Sequence, residues 1–452
     1  MYDIKIINAR YPDYDTNELK VDDICIKDGK IEYIGKTSEG AKVEIDGKGL
    51  VTSPGFIDIH MHEEELDRYP DLSRFYVAER MLKMGVTTAL GGNCGINYQP
   101  PEEFIEAVGK HGSPINYMLK IGYNTFRKNA GLDSPFDPMS PEVLEQIKRE
   151  IVRTLETGVK GISFGIEYSP GISYEEMLEV SKLLDPERHM VSAHYRKDGA
   201  DSMTSVEEMI GLSRESNVPM QISHIGSCSG YGFMEKSLEM IDKANGDGID
   251  VMADCYPYNA FCTYIGSTVF EDGCIEKWDV GYDSIMMTEE PYRNMHCTKE
   301  IFNDARTNYP DMLAVAFVMK EKEIIDAMKH PCVMIGSDEI YNGSKGHPRG
   351  AGSFPRVLGK YVREEKIMSL VEALNKMTKM PADRLGLTRK GQIREGFHAD
   401  ITMFSEGSII DRADFNNPIE PPEGIEYVFV NGRMVLRDGE ILDGTAGGFI
   451  SA

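Results

Sequence analysis

Residues 53–62 read Ser-Pro-Gly-Phe-Ile-Asp-Ile-His-Met-His, and few folds accommodate such a stretch. Phe56, Ile57 and Ile59 have the bulk and branching of a buried strand, and Pro54-Gly55 marks a turn feeding into it. Two histidines follow at a spacing of two. In an extended chain that spacing places both imidazoles on one face, where they can converge on a single ion.

On either side of this stretch the pattern changes. Residues 1–52 read as short strands and turns, YDIKIINAR, DDICIKDGKIEYIGK and AKVEIDGKGLV, with a two-residue hairpin at Asp28-Gly29 and a second Asp-Gly at 46–47. The same texture returns near the other end in HADITMFS and IEYVFVNGRMVLRDGEIL, with Asn431-Gly432 and Asp438-Gly439 as turns. Between the two, strands alternate with helical segments such as SRFYVAERMLKMG. Strands are expected at the opening stretch, from Val86, and at about 115–122, 159–165, 190–194, 217–224, 249–255 and 332–338, eight in all. The expected fold class is α/β: a (β/α)8 TIM-type barrel over 53–397, inserted into a small β-sandwich formed by 1–52 plus 398–452. A chain of 452 residues has room for both. An irregular insert at about 255–315, with Met, Tyr and acidic residues, is expected over the barrel mouth.

Composition excludes several partners. The chain carries 49 basic and 74 acidic residues, a formal net charge of −25, which argues against nucleic acid or an anionic membrane surface. The first residues alternate polar and apolar, and no apolar run reaches the roughly 18 residues of a membrane span. A cytoplasmic location is expected. The eight cysteines, at 25, 94, 228, 255, 262, 274, 297 and 332, show no CxxC spacing, so neither a disulfide scaffold nor a zinc ribbon is indicated. The oligomeric state is left open, a homo-oligomer included.

Barrel enzymes place their chemistry where strands end. At the expected ends lie His60 and His62, Cys94, His194, His224 and Asp338. Four of the ten histidines fall at these positions, which chance placement would rarely produce. Imidazole, thiolate and carboxylate together are a donor set for zinc, and the thiolate biases the site away from magnesium or calcium.

The stretch PGFIDIHMH resembles the first-strand metal signature of the amidohydrolase superfamily. Within it, GGNCGIN, GISFGIEYSPG, SAHYR, ISHIGS, DCYPYNAFCT and above all IGSDEIYNGSKGHPRGAGSFPRVLGKYVRE are similar to the N-acyl-D-amino-acid deacylases, or D-aminoacylases. The resemblance implies a zinc-dependent hydrolase that cleaves small-molecule N-acyl-D-amino acids into a carboxylate and a free D-amino acid. It implies that His194, His224 and Cys94 hold a tightly bound zinc. His60 and His62, with Cys94 or Asp338, would form a second, weaker site. Asp338 would be the catalytic acid-base, taking a proton from water and passing it to the departing amine. Arg349, whose fork suits a carboxylate, would hold the substrate, with Tyr168 and Tyr256 matching substrate contacts of the family.

One departure bears on specificity. Typical D-aminoacylases read SHHK or similar after strand six, where this chain has His224-Ile225-Gly226-Ser227; Arg196, two residues beyond His194, is the candidate to replace the missing lysine. Rival readings are a cyclic amide hydrolase of the dihydroorotase or hydantoinase type, a dipeptidase, and a catalytically inactive scaffold. Strand four carries no lysine at its end, as the cyclic amide hydrolases would require, and no expected donor is missing, as in a scaffold.

Overall fold

The computed structural model describes residues 1–452. Eight parallel strands form the barrel: β1 (Phe56–Asp58), β2 (Val86–Gly91), β3 (Asn116–Leu119, continued by Ile121–Gly122), β4 (Gly161–Gly165), β5 (Met190–His194), β6 (Met220–Ile222), β7 (Val251–Cys255) and β8 (Val333–Ile335). Each pairs with the next in sequence. The ring closes where the Asp338 amide donates to the His60 carbonyl at 2.7 Å. The first strand is shorter than expected. Past Asp58 the chain leaves the regular ladder, yet Met61 N–H still reaches the Leu90 carbonyl at 3.3 Å, so His60 and His62 stay anchored between neighbouring strand ends.

The lower half of the barrel is packed with hydrocarbon. Ile57, Leu90, Met118, Met190 and Met334 meet Ala382 and Leu385 of the short helix Lys379–Leu385, which plugs the base. A packed floor of this kind confines chemistry to the opposite rim. The surrounding helices follow local rules. Helix Pro141–Leu155 starts with Ser140 capping the Val143 amide and Pro at the first position, and it buries Ile147 and Ile151 one turn apart.

Strands from both ends of the chain share one nine-stranded sheet. Its seam joins Val51–Pro54, entering the barrel, to Ile401–Phe404, leaving it, in antiparallel register from Ile401 opposite Pro54 to Phe404 opposite Val51. Ile4, Ile6, Ile24, Ile26, Ile31, Ile401, Met403 and Phe429 form its core. Asp28-Gly29, Asn431-Gly432 and Asp438-Gly439 make tight hairpins with positive φ at both residues, the geometry that matches strand twist. Asp46-Gly47 makes none: Ala41–Asp46 pairs in parallel with Tyr2–Asp13, and Gly47 instead lets the chain cross close to Ile7 and Ala9.

Between β7 and β8 the chain forms a three-stranded antiparallel sheet of Phe261–Tyr264, Ile285–Met287 and Leu313–Ala316. Its aromatic centre, where Trp278 lies against Phe261 and Phe270, packs into the main core. No helix is long and apolar enough to cross a membrane.

Residues 447–452 run along the lower edge of β3 and bridge toward β4. Gly447 exchanges backbone bonds with Ser113, Tyr117 bonds Gly448 and Ile450, and Ala452 N–H reaches the Gly158 carbonyl. A Cβ on Gly447 would lie 2.0 Å from the Ile115 carbonyl oxygen, whereas one on Gly448 would meet nothing. Gly447→Ala is therefore expected to destabilise the protein by about 1–3 kcal/mol, read as a lower thermal unfolding midpoint, with Gly448→Ala close to wild type. Equal midpoints for the two variants would remove the tail from the barrel seam.

Candidate metal centre

The donors predicted from strand ends come together. His60 and His62 follow β1, Cys94 follows β2, His194 ends β5, His224 follows β6 and Asp338 follows β8, and every one is buried. They form two groups that share Cys94: His60, His62, Cys94 and Asp338, and Cys94, His194 and His224, each with its ligand atoms within 4.8 Å of one another. Cys94 Sγ lies 3.4 Å from both His60 Nε2 and His224 Nε2. His194 Nδ1 is 3.0 Å from His224 Nε2, and Asp338 Oδ1 is 3.3 Å from the Nε2 atoms of His60 and His62. Ligands bound at about 2.0–2.3 Å to one tetrahedral ion stand roughly 3.3–3.7 Å apart, so the donors are spaced like the edges of coordination shells.

Backbone conformation aims these side chains. Cys94, His224 and Asp338 have φ of +51°, +34° and +49°, a left-handed region costly for side chains other than Asn and Asp. Each sits where a strand turns sharply inward at the rim. Three further residues set which imidazole nitrogen faces the centre. Asp254, one residue before the end of β7, lies 3.0 Å from His60 Nδ1 and also accepts the His224 amide at 2.7 Å. Ser227 Oγ is 2.8 Å from His224 Nδ1, and Glu167 Oε2 is 3.1 Å from His194 Nε2. With those nitrogens engaged, His60 Nε2, His224 Nε2 and His194 Nδ1 are left to bind. Beneath the cluster, the buried Lys120 ammonium donates to Asn93 Oδ1, and Asn93 donates to the Met61 carbonyl between the two first histidines.

Electrostatics favour a cation in the middle. Burial alone would raise the Cys94 thiol, but His224 and His60 outweigh it and hold the sulfur well below its usual range, as a thiolate. Burial would likewise raise Asp338, and Arg349, His224 and His60 hold it well below the usual carboxylate range. Burial pushes His62 and His194 down; Asp338 and Cys94 raise the first, and Cys94 and Glu167 the second, to about 9. The anions thus demand positive charge, supplied by protons without an ion and by a divalent ion once one binds. Donor type, spacing and charge all fit zinc.

The residues expected to contact substrate divide. Arg349 opens the helix Arg349–Arg356 and is buried against the centre, with Nη2 3.0 Å from Asp338 Oδ2 and its guanidinium 4.6 Å above the Tyr256 ring. Its Nε and Nη1 have no protein partner, nor does the buried Tyr256 hydroxyl. Tyr168 is half-buried at the rim, its ring 4.4 Å from that of His194. Arg196 does not join them, which corrects the expectation that it replaces the missing lysine. Its Nε and Nη2 grip Glu208 at 2.8–3.1 Å, and its remaining donors bond the carbonyls of Pro170 and Ile172. A fork spent in this way has no free face for a substrate carboxylate.

Sequence reasoning missed Asp254, Glu167, Ser227 and Lys277. Asp254 and Glu167 lie at strand ends, so the positional rule that found the histidines applies to them as well. Ser227 follows its histidine by one helical turn. Lys277, from the irregular segment between β7 and β8, carries no local signal; its ammonium lies 2.6 Å from Asp198 and 3.4 Å from Glu167.

Comparison with known proteins agrees with this geometry. Residues 51–435 match the amidohydrolase family model. An N-acyl-D-glutamate deacylase of Alcaligenes xylosoxydans xylosoxydans is 30% identical over 92% of this chain and 89% of its own length, and an N-acyl-D-aspartate deacylase of the same organism is 28% identical over 92% and 88%. The crystal structure of N-acyl-D-glutamate deacylase from Bordetella bronchiseptica, complexed with zinc and a phosphonate mimic of the tetrahedral intermediate, superimposes with a TM-score of 0.89 at 26% identity, covering all of both chains. The barrel with its strand-end donor cluster and the match over most of its length place this chain in the amidohydrolase family, within the branch of the N-acyl-D-amino-acid deacylases.

Proposed function

We propose that the protein is a zinc-dependent hydrolase of small N-acyl-D-amino acids, releasing a carboxylate and the free D-amino acid. The observation that carries this reading is the buried convergence of two donor groups on one shared thiolate, with an ionised carboxylate at their edge. Cys94, His194 and His224 would hold the tightly bound ion, and His60, His62 and Asp338, with Cys94, a second and weaker one. When bound, zinc supplies Lewis acidity toward an amide carbonyl and makes hydroxide available near neutral pH.

Asp338 takes the proton of the attacking water and returns it to the leaving amine. As a carboxylate grouped with His60, His62 and the shared Cys94, it meets the geometric requirement before that of pKa. Arg349 serves two ends: Nη2 keeps Asp338 ionised and oriented, and Nη1, which has no protein partner, offers N–H donors to a substrate carboxylate. Tyr256, under the guanidinium, and Tyr168, beside His194, flank the place a substrate would occupy. The preference for D-substrates rests on the named relatives. A cyclic amide hydrolase is disfavoured because β4 runs into Ile166 and Glu167, not a lysine. All eight cysteines are free, as suits the reducing cytoplasm in which we place the enzyme.

The direct experiment presents zinc-loaded and chelator-treated protein with N-acetyl-D- and N-acetyl-L-amino acids alongside cyclic amides. Turnover of the D-acyl compounds, lost on chelation and restored by zinc, is expected; turnover of cyclic amides alone would overturn the proposal. Asp338→Asn should keep most of its zinc and lose on the order of 10²–10⁴-fold in kcat, and near-normal kcat would take Asp338 out of the reaction. Arg349→Lys replaces a fork by a point charge and is expected chiefly to raise KM. Kinetics identical to wild type would place the substrate carboxylate elsewhere.

A further inference from the structure

Lys277 stands apart from the proposed chemistry, yet it is wired to it. It belongs to helix Cys274–Trp278, in the segment between β7 and β8, and its ammonium faces two carboxylates from different barrel loops. Asp198, beyond β5, lies at 2.6 Å, and Glu167, beyond β4, at 3.4 Å. Both carboxylates are buried, Asp198 to 1% and Glu167 to 7% exposure. Glu167 passes the contact on: its other oxygen lies 3.1 Å from His194 Nε2.

The surroundings make this chain of contacts rigid. Trp278, the next residue, donates its indole N–H to the second oxygen of Asp198 at 2.6 Å. Thr268 donates its hydroxyl to the Glu167 carbonyl. The Trp278 ring is locked edge-on against Phe261 and Phe270. Lys277 is therefore presented by a packed element, and Glu167 is held from both its backbone and its side chain.

Charge explains why a cation is needed at this point. Glu167 and Asp198 are two buried carboxylates near one ammonium, and without it they would repel each other in a poorly screened place. Burial and Glu167 already push Asp198 up to about 6, against the pull of Lys277. Removing the ammonium leaves the two buried carboxylates facing each other without a cation between them, which favours Glu167 turning away from its place 3.1 Å from His194 Nε2. His194 then loses the carboxylate that fixes its ring and directs Nδ1 to the centre.

We infer that Lys277 is a positioning residue through which the segment between β7 and β8 sets how tightly the metal centre holds its ion, acting on His194 by way of Glu167. This rests on the reading of His194 as a metal ligand. It adds a function to a segment that supplies none of the donors: that segment and the metal site are one mechanical unit. Loss of a partner behind a metal-bound histidine typically weakens metal affinity about 10–100-fold.

The test is a set of zinc affinities, measured by competition with a chromophoric chelator, for wild type, Lys277→Met, Lys277→Arg, Glu167→Gln and the double variant Lys277→Met/Glu167→Gln. Wild-type protein that binds no zinc would sink the metal reading itself, separately from this inference. Given binding, Lys277→Met is expected to weaken affinity about 10–100-fold, Lys277→Arg to restore most of it, and Lys277→Met to add little once Glu167→Gln is present. An undiminished effect of Lys277→Met in the Glu167→Gln background, or none in wild type, would overturn it. The unfolding midpoint of the metal-free protein is read alongside. A midpoint near wild type is expected for Lys277→Met, and a fall equal with and without zinc would reduce Lys277 to a structural latch.

Discussion

A buried sulfur anion governs this structure. Cys94 sits at 3% exposure between two imidazoles at 3.4 Å, and a thiolate so far from water is tolerable only if positive charge surrounds it. Nearly every polar feature of the rim answers that demand or its consequences. The histidines gather around the sulfur, Asp254, Glu167 and Ser227 orient the histidines, and Asp338 adds a second negative charge that Arg349 offsets from outside. A divalent ion completes the balance with the donors already in place.

The barrel makes this concentration of charge possible by dividing its interior. Below, Met118, Met190 and Met334 pack against the plug of Lys379–Leu385 as a buried apolar layer. Above, the strands end and the chain turns inward through left-handed residues at three of the six donors. The strain of those turns is borne by backbone bonds on both sides, such as the Asp338 amide to the His60 carbonyl. Lys120 marks the boundary between the halves. Burial brings its ammonium down to about 7, and it hangs on Asn93 and Ser192 directly under the charged layer.

Much of the donor set was legible in the sequence because parallel strands in a closed barrel put their carboxyl ends on one ring. A histidine at the end of SAH or SH can then be assigned to that ring from its position in the chain alone. The rest was hidden for definite reasons. Nothing in the residue types marks Cys94 or His224 as left-handed, since only Gly, Asn and Asp commonly signal that conformation. Arg196 followed His194 closely enough to suggest the site, but Glu208, on the next helix, matches its fork and draws it away. The dependence of Glu167 on Lys277 spans 110 residues and passes through a segment without clear periodicity. Asp46-Gly47 shows the limit of turn chemistry: the dipeptide permitted a hairpin, and parallel pairing with the first strand prevailed.

The central claim is that one ion sits where Cys94, His194 and His224 meet. A crystal of the zinc-loaded protein, with anomalous data collected on either side of the zinc absorption edge, tests it most directly. The expected result is an anomalous peak about 2.0–2.3 Å from Cys94 Sγ, His194 Nδ1 and His224 Nε2. Zinc in the crystal with no peak at that point, or a Cys94 side chain turned out of the cluster, would contradict the account.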